Sequence, residues 1–591
     1  MLRRARVQGP YNSGKSLALL RSVACCSGVA LHNRIAGQIR SARCHGGRLR
    51  GLRLVTQASA LGLAAWAVAV SLPARAQDQS AAALQAPRLG TVAFQISCKP
   101  EVQTDFDRGV SFLHSFWYEA AADMFARVVA SDPNCAMGYW GQAMTGFPQV
   151  NGWPDAEALA AAGRALGAAD AASERTPREA AYIHALHRFY DGFTRSDALA
   201  HAREYADAMQ ALASAHPEDL EAQVFYALAL LASHSRDAVT LDNPRKAYAI
   251  LAPLFAGHPD HPGVAHYIIH ACDNPEMAPL ALTAARRYAS IAPAAPHALH
   301  MPGHIFARLG LWPDDIRSNL ASRAAAEHPM GMRMGAENRL HAMEFLEYAY
   351  LQTGADPQAL AIVTEARGVH ASEVDPRYPT YYGVVEARFP ALYAIETHDW
   401  DMAANLEPVA GGDAHSQAVT LLAHAIAAAH RGDRIAADEA VRALDTLVQE
   451  DDEPSSAGSL GQTLPDEIRA WAAFTQGDVH GAVTLLRPVA ERQDRVGKGE
   501  VELPAREMLA EMLLLRGDAG QALTEYQASL HSDPNRFNGL LGAGQAAERV
   551  GQRALAADTF RTLLGNCAGA SGAAKKQLAH ASHVVESQAN H

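Results

Sequence analysis

"LRGDAGQALTEYQASLHSDP", residues 515 to 534, and "RVGQRALAADTFRTLL", residues 549 to 564, decide the architecture. Gly517 and Gly551 stand 34 residues apart, and the same interval separates Tyr526 from Phe560 and Leu530 from Leu564. A small residue recurs with them, Ala522 against Ala556. Each position has a physical job. Glycine ends a helix in a conformation other residues resist. Alanine lets two helices approach, the aromatic fills the gap between one hairpin and the next, and Pro534 marks the exit. A two-helix unit of this length cannot bury its apolar face alone, so it has to stack on copies of itself.

The interval is the tetratricopeptide period. The same grammar appears near the start in "SFWYEAAADMFARVVASDPNCAMGYWGQAM", with Tyr118, Ala122, Phe125 and Pro133 followed by Tyr139 and Trp140. Turn glycines recur at Gly310, Gly354, Gly432 and Gly477 with irregular gaps. The chain of 591 residues is 49% hydrophobic and 19% charged, and it is rich in alanine. Strand-like runs of Val, Ile and Thr are scarce, which points to an all-α chain. The expectation is an all-α solenoid of roughly eight to ten stacked helical hairpins with one continuous core and one concave groove.

Residues 1–76 read differently. They hold twelve Lys or Arg and no Asp or Glu. "RLRGLR" precedes an apolar stretch at about 54–72, which ends in Ala74-Arg75-Ala76. A basic region, an apolar region and a small-residue site together make a secretory signal peptide, with cleavage expected after Ala76 and a periplasmic or secreted destination. A retained membrane anchor is the alternative, but the apolar run is short for a spanning helix. "GPYNSGKS", residues 9 to 16, matches a phosphate-loop pattern but has no room for the strand that must precede such a loop. The acidic, Ser- and Gly-bearing stretch at 451–462 is expected to link an N-terminal array, 77–450, to a C-terminal array, 463–591.

Removing the presequence takes the net charge from −12 to −24. That balance argues against nucleic acid or an anionic membrane surface as partner, and fits cations, or a protein or peptide held in an acidic groove. Export also matters for the cysteines. Cys98 and Cys135 are a candidate disulfide pinning the N-terminal segment to the first hairpin, while Cys272 and Cys567 have no obvious partner.

Five stretches carry a resemblance. "FDRGVSFLHSFWYEAAADMFARVVASDPNCAMGYWGQAM", "EAQVFYALALLA", "HPGVAHYIIHACDNPEMAPLAL", "PHALHMPGHIFARLGLW" and "HAMEFLEYAYLQTG" resemble a family of bacterial tetratricopeptide-repeat proteins that are usually exported. The resemblance covers about residues 95–400. It implies the repeat fold and export, and no mechanism. The family often has Ser where this chain has Gly303, and Asp where it has Glu344.

Seven of the 27 histidines lie between 258 and 304. Pro262 suits a first helical turn, which puts His266 and His270 one turn apart on one face. Pro302 is expected to open another helix carrying His304, with His297 and His300 in the segment leading into it. His341 begins a third such helix with Glu344 three residues on. His266, His270, His300 and His304 could therefore meet on the groove side, with His297, His341, Asp273 and Glu344 as further ligands. Four or more imidazoles without a thiolate suit Zn, Cu or Ni. Position 267 is Tyr, so the general base of a zinc-protease helix is missing.

Two readings stay open from the residues alone. One is a binding or scaffold protein. The other is a metal-dependent enzyme, a hydrolase or oxidoreductase, centred on the same histidines. Histidines that serve only as hydrogen-bond donors remain the plain alternative to both. His258 and His261, beside Pro259 and Pro262, read as loop residues.

Overall fold

The computed structural model describes residues 87–589, apart from residues 148, 151, 174, 236–239, 328–335, 375–380, 410–411, 451–462 and 500. The signal segment, its cleavage site, the phosphate-loop look-alike and the 451–462 linker lie outside the described residues. Among those residues there is no strand, and the chain is a tetratricopeptide-type solenoid of stacked helical hairpins.

The first hairpin shows why the repeat grammar works. Helices α1 (Gln103–His114) and α2 (Tyr118–Ser131) pack on α3 (Ala136–Met144). Phe125 of α2 is fully buried, and a Cβ on Gly141 of α3 would stand only 2.3 Å from its ring. Cys98 and Cys135 are joined by a disulfide with 4.9 Å between their Cα atoms, and Cys135 also caps α3.

Downstream come α4 (Leu220–Ala232), α5 (Pro262–Cys272), α6 (Ala278–Ile291), α7 (Pro296–His300), α8 (Pro302–Arg308), α9 (Trp312–Glu327) and α10 (Glu337–Gln352), followed by α11 (Tyr381–Glu396). The C-terminal repeats include α12 (Ala505–Arg516), α13 (Ala519–Ser532), α14 (Phe537–Arg549) and α15 (Arg553–Asn566). Gly517 ends α12 at φ +94°, a left-handed conformation that favours glycine. Tyr526 and Phe560, the aromatics of the 34-residue period, both seat on glycines of α14. Added Cβ atoms at Gly542 and Gly544 would each come within 2.2 Å of those rings.

The superhelix winds tightly enough for the C-terminal hairpins to reach the middle ones. Trp312 Nε1 donates to the Asn535 carbonyl at 2.8 Å, and the Phe537 amide donates to Gln352 Oε1 at 2.9 Å. The inner face behind α8 is therefore covered. Arg308 donates to the Lys498 carbonyl at 2.9 Å, and both side chains are buried. No described helix is long and apolar enough to cross a membrane.

Candidate metal centre

The histidine-bearing helices start where the sequence places them. Pro262 opens α5, and His261 caps it by accepting the Val264 amide at 3.2 Å. His266 and His270 then face one side. The segment 296–300 forms a short helix of its own, α7, and Pro302 opens α8 with His304 in its first turn. His341 sits early in α10.

The imidazoles do not meet at one point. They divide into two triads, His266 with His270 and His297, and His300 with His304 and His341. This corrects the expected convergence of His266, His270, His300 and His304. The reason is helical: His297 and His300 are three apart on α7, and each joins a different group. Within each triad the ligand atoms lie within 4.8 Å of one another. In the first, His266 Nε2 is 3.0 Å from His270 Nε2 and 3.1 Å from His297 Nε2. In the second, His300 Nε2 is 2.9 Å from His304 Nε2.

The opposite ring nitrogens fix the protons. His266 Nδ1 lies 2.6 Å from the His114 carbonyl, which can only accept. His304 Nδ1 donates to Asp273 Oδ2 at 2.8 Å, and His341 Nδ1 to Glu344 Oε2 at 3.2 Å. His300 Nδ1 meets Asn319 Oδ1 at 2.6 Å, while Asn319 Nδ2 is held by the Asp315 backbone carbonyl and side chain. These contacts place the proton of each imidazole on Nδ1, which makes Nε2 the acceptor nitrogen. In the second triad, His300 Nε2 and His304 Nε2 face each other at hydrogen-bond distance.

A second proton is costly here. Burial and the neighbouring histidines hold His266, His297 and His300 well below the usual imidazole range, and burial pulls His270 down to about 3. The walls are apolar. Phe116 lies 4.4 Å from the His266 ring and Tyr288 stacks on it at 5.1 Å, while Phe345 lies 4.7 Å from His300. Phe116 holds φ at +52°, a strained backbone for a bulky residue, on the turn between α1 and α2.

Asp273 and Glu344 stand behind the imidazoles, on their Nδ1 side. Each is also paired to a guanidinium, Asp273 to Arg308 at 2.8 Å and Glu344 to Arg388 at 2.7 Å. Burial alone would raise both carboxyls, but these arginines and the histidines hold them below the usual range. Carboxylate–imidazole pairs of this kind orient metal-binding histidines and fix their tautomer.

A third histidine group serves as a contrast. Glu221 of α4 accepts from His114 Nε2 and His261 Nε2, both at 2.9 Å, and Tyr267 meets His114 Nδ1 at 2.9 Å. A carboxylate lies between these imidazoles, so the group satisfies itself without an ion. His261 is thus a buried cap and not the loop residue its neighbours implied, whereas His258 does sit exposed in the loop. The cluster of Cys98, Asp132 and Cys135 is already spent on the disulfide. Cys272 is buried, with its thiol pushed up to about 12 by burial and Asp273.

A narrow cavity adjoins His304, lined by Asp273, Arg308, Trp312, Tyr348, Lys498 and Arg536. Its free space of about 10 Å³ is what one water needs. His114, Asn319, Glu221 and Phe116 carried no signal in the sequence. Their parts in the centre come from contacts across 19 to 153 positions.

No protein-family model matches the chain, and no curated protein is similar to it. Solved structures of a helical-repeat protein are similar to it in architecture. One is an IFIT1 monomeric mutant with Gppp-AAAA, at 13% identity and a TM-score of 0.32, covering 83% of this chain and 96% of that one. Another is the human IFIT1 dimer with PPP-AAAA, at 11% identity and a TM-score of 0.32, covering 69% of this chain and 87% of that one. Those complexes hold oligonucleotides, and the exclusion of nucleic acid drawn above from net charge is withdrawn. A whole-chain charge sum does not describe the local field in a groove.

Proposed function

We propose that this chain is an exported tetratricopeptide-type scaffold whose function is to hold transition-metal ions, Zn, Cu or Ni, on its imidazole triads. One observation carries the reading: His300 Nε2 and His304 Nε2 face each other at 2.9 Å while both Nδ1 atoms are committed to oxygen acceptors. Two imidazole nitrogens held face to face, each with its Nδ1 on an oxygen, are placed as ligands to a shared cation. The ligand atoms of each triad lie within 4.8 Å of one another, close enough for all three to reach one ion with metal–nitrogen bonds of about 2.0–2.1 Å. Asp273, Asn319 and Glu344 then act as orienting partners behind the ligands. Export is supported by the basic region, apolar run and small-residue site that end at Ala76.

The test is metal content by plasma mass spectrometry on the chain purified without a histidine tag, beside a His300→Ala/His304→Ala variant. Near-stoichiometric metal in the parent, reduced in the variant, is the expected outcome. Absence of metal in the parent after reconstitution with each of the three ions would sink the reading.

A metal-dependent enzyme is the second reading, favoured by ligand count. Three protein ligands leave a coordination position open, and a water-sized cavity lies beside His304. It requires hydrolytic or oxidase turnover that appears with metal loading and disappears in the same variant.

A further inference from the structure

We infer that Phe116 is the residue that closes the first triad, keeping water off an ion held there and setting how fast that ion leaves. This rests on the metal-binding reading above and goes further, from which residues ligate to what controls exchange.

Two hairpin turns depart from the rest. At Gly310, Gly354, Gly432, Gly477, Gly517 and Gly551 the first helix of a hairpin gives way to a left-handed residue, with φ between +61° and +94°, and the second helix begins two residues later. The amide after the glycine donates to the carbonyl five residues back, as Asp518 does to Leu513 at 2.9 Å and Gln552 to Ala547 at 2.8 Å. The turn between α1 and α2 is built the same way. Trp117 donates to the Phe112 carbonyl at 3.0 Å, α2 begins at Tyr118, and the left-handed residue is Phe116. Glycine takes this conformation without strain, whereas a residue with a Cβ and a bulky ring does not. The first turn therefore carries a ring where the backbone disfavours one. His398 makes the same departure in the turn after α11, and its ring stacks on Trp400 at 5.0 Å.

What the strained turn holds in place is a cover. The Phe116 ring centroid is 4.4 Å from that of His266 and 5.4 Å from those of both His270 and His297. One ring thus reaches all three imidazoles and spans the face they share. Tyr267 and Tyr288 also touch His266, at 5.3 and 5.1 Å, but both are fully buried, whereas Phe116 is partly exposed. Of these three aromatics, Phe116 is the one between the triad and solvent. The same turn supplies the His114 carbonyl, 2.6 Å from His266 Nδ1, so it both orients a ligand and covers it.

The consequence is kinetic. An ion held by three imidazoles leaves by taking on water or an incoming ligand as the imidazoles let go. A phenyl ring over the shared face offers no donor and restricts solvent access. The second triad has a cover of a different kind. Phe345 touches His300, His304 and His341 at 4.7, 4.8 and 5.4 Å, but it is fully buried in the middle of α10. Removing the Phe116 ring leaves that contact in place, so the second triad serves as an internal control.

For the experiment, the untagged chain is loaded in turn with zinc(II), copper(II) and nickel(II), and release into excess of a chelator that colours with all three is followed by stopped flow. Phe116→Gly removes the ring and suits the backbone, while Phe116→Leu keeps an apolar cover. His297→Asn and His341→Asn assign each release phase to its triad, and circular dichroism melting monitors folding. In Phe116→Gly the first-triad phase is expected to quicken by about 10-fold or more with the second-triad phase unchanged, and Phe116→Leu should fall between it and the parent. An unchanged first-triad phase, or both phases quickened alike, would overturn the inference and leave the metal-binding reading standing. One ion per chain, lost in His341→Asn and kept in His297→Asn, would leave the first triad empty and overturn it as well. No metal in the parent would remove both. If Phe116→Gly melts early, the first-triad rate in Phe116→Leu decides the matter.

Discussion

Asn319 makes one hydrogen bond to His300 Nδ1 and keeps its own amide on Asp315. Asn319→Leu keeps the volume and removes the acceptor. Metal affinity is expected to fall by about 10–100-fold while the melting temperature of the metal-loaded parent is approached within a few degrees. An unchanged affinity would show that the tautomer is set elsewhere. The buried histidines also make stability depend on pH. His266, His270, His297 and His300 have folded values below 6.5, so the unfolded chain takes up protons first as the pH falls. Their contribution is intact above about pH 6.5 and is lost below it, by up to about 1.4 kcal/mol per pH unit for each group. Urea midpoints of the metal-free chain at pH 7 and pH 5.5 should differ accordingly. Some of this was readable from residues: the i, i+4 spacing put His266 beside His270. The partition into two triads was not, because the i, i+3 pair His297 and His300 reads as one cluster until α7 turns them apart. His114 lies 152 positions from the imidazole it supports, and nothing in "SFLHSF" marks it.

At the scale of helices, two helical glycines make a pair of opposed predictions. Gly542→Ala drives a methyl into the Tyr526 ring, 2.2 Å from the added Cβ. The expected loss is about 1–3 kcal/mol, read from the thermal or urea transition. Gly163 lies in the helix Ala156–Ala171 with nothing within 4 Å of an added Cβ. Gly163→Ala should stabilise by about 0.5–1 kcal/mol, from helix propensity alone. Equal effects at the two sites would mean that the aromatic seat contributes nothing. The 34-residue interval exposed the aromatic and the turn glycine together, so the hairpins were legible. The seat glycines Gly141 and Gly542 were not, since a helical glycine shows its purpose only when the ring opposite is known.

At the scale of the whole molecule, Arg536 ties the C-terminal repeats to the middle. It is buried among Glu507 at 2.8 Å, Glu396 at 2.6 Å and the Tyr348 hydroxyl. Arg536→Ala strands two buried carboxylates and is expected to cost about 3–5 kcal/mol. Hydrogen exchange should quicken in α10 and α14 before it does in α1. Uniform quickening would mean that the array unfolds only as a unit. Stacking of neighbouring repeats could be expected from periodicity, but a contact between repeats some 190 residues apart could not, because the period fixes each hairpin's neighbour and leaves the superhelical pitch open.

That long return contact orders events in time. A chain emerging N-terminus first presents every imidazole from His266 to His341 before Lys498 and Arg536 exist. The first folded body is an array with its histidine face uncovered, and the later repeats close over it like a door hung last. Ions can then enter during synthesis or translocation and be shut in afterwards. A chain folded to completion without them has to admit them through the partly exposed edge at His270, His297 and His341. Loading should therefore be faster during refolding from denaturant than on the finished apo-protein, by a factor that reports how firmly the door is closed.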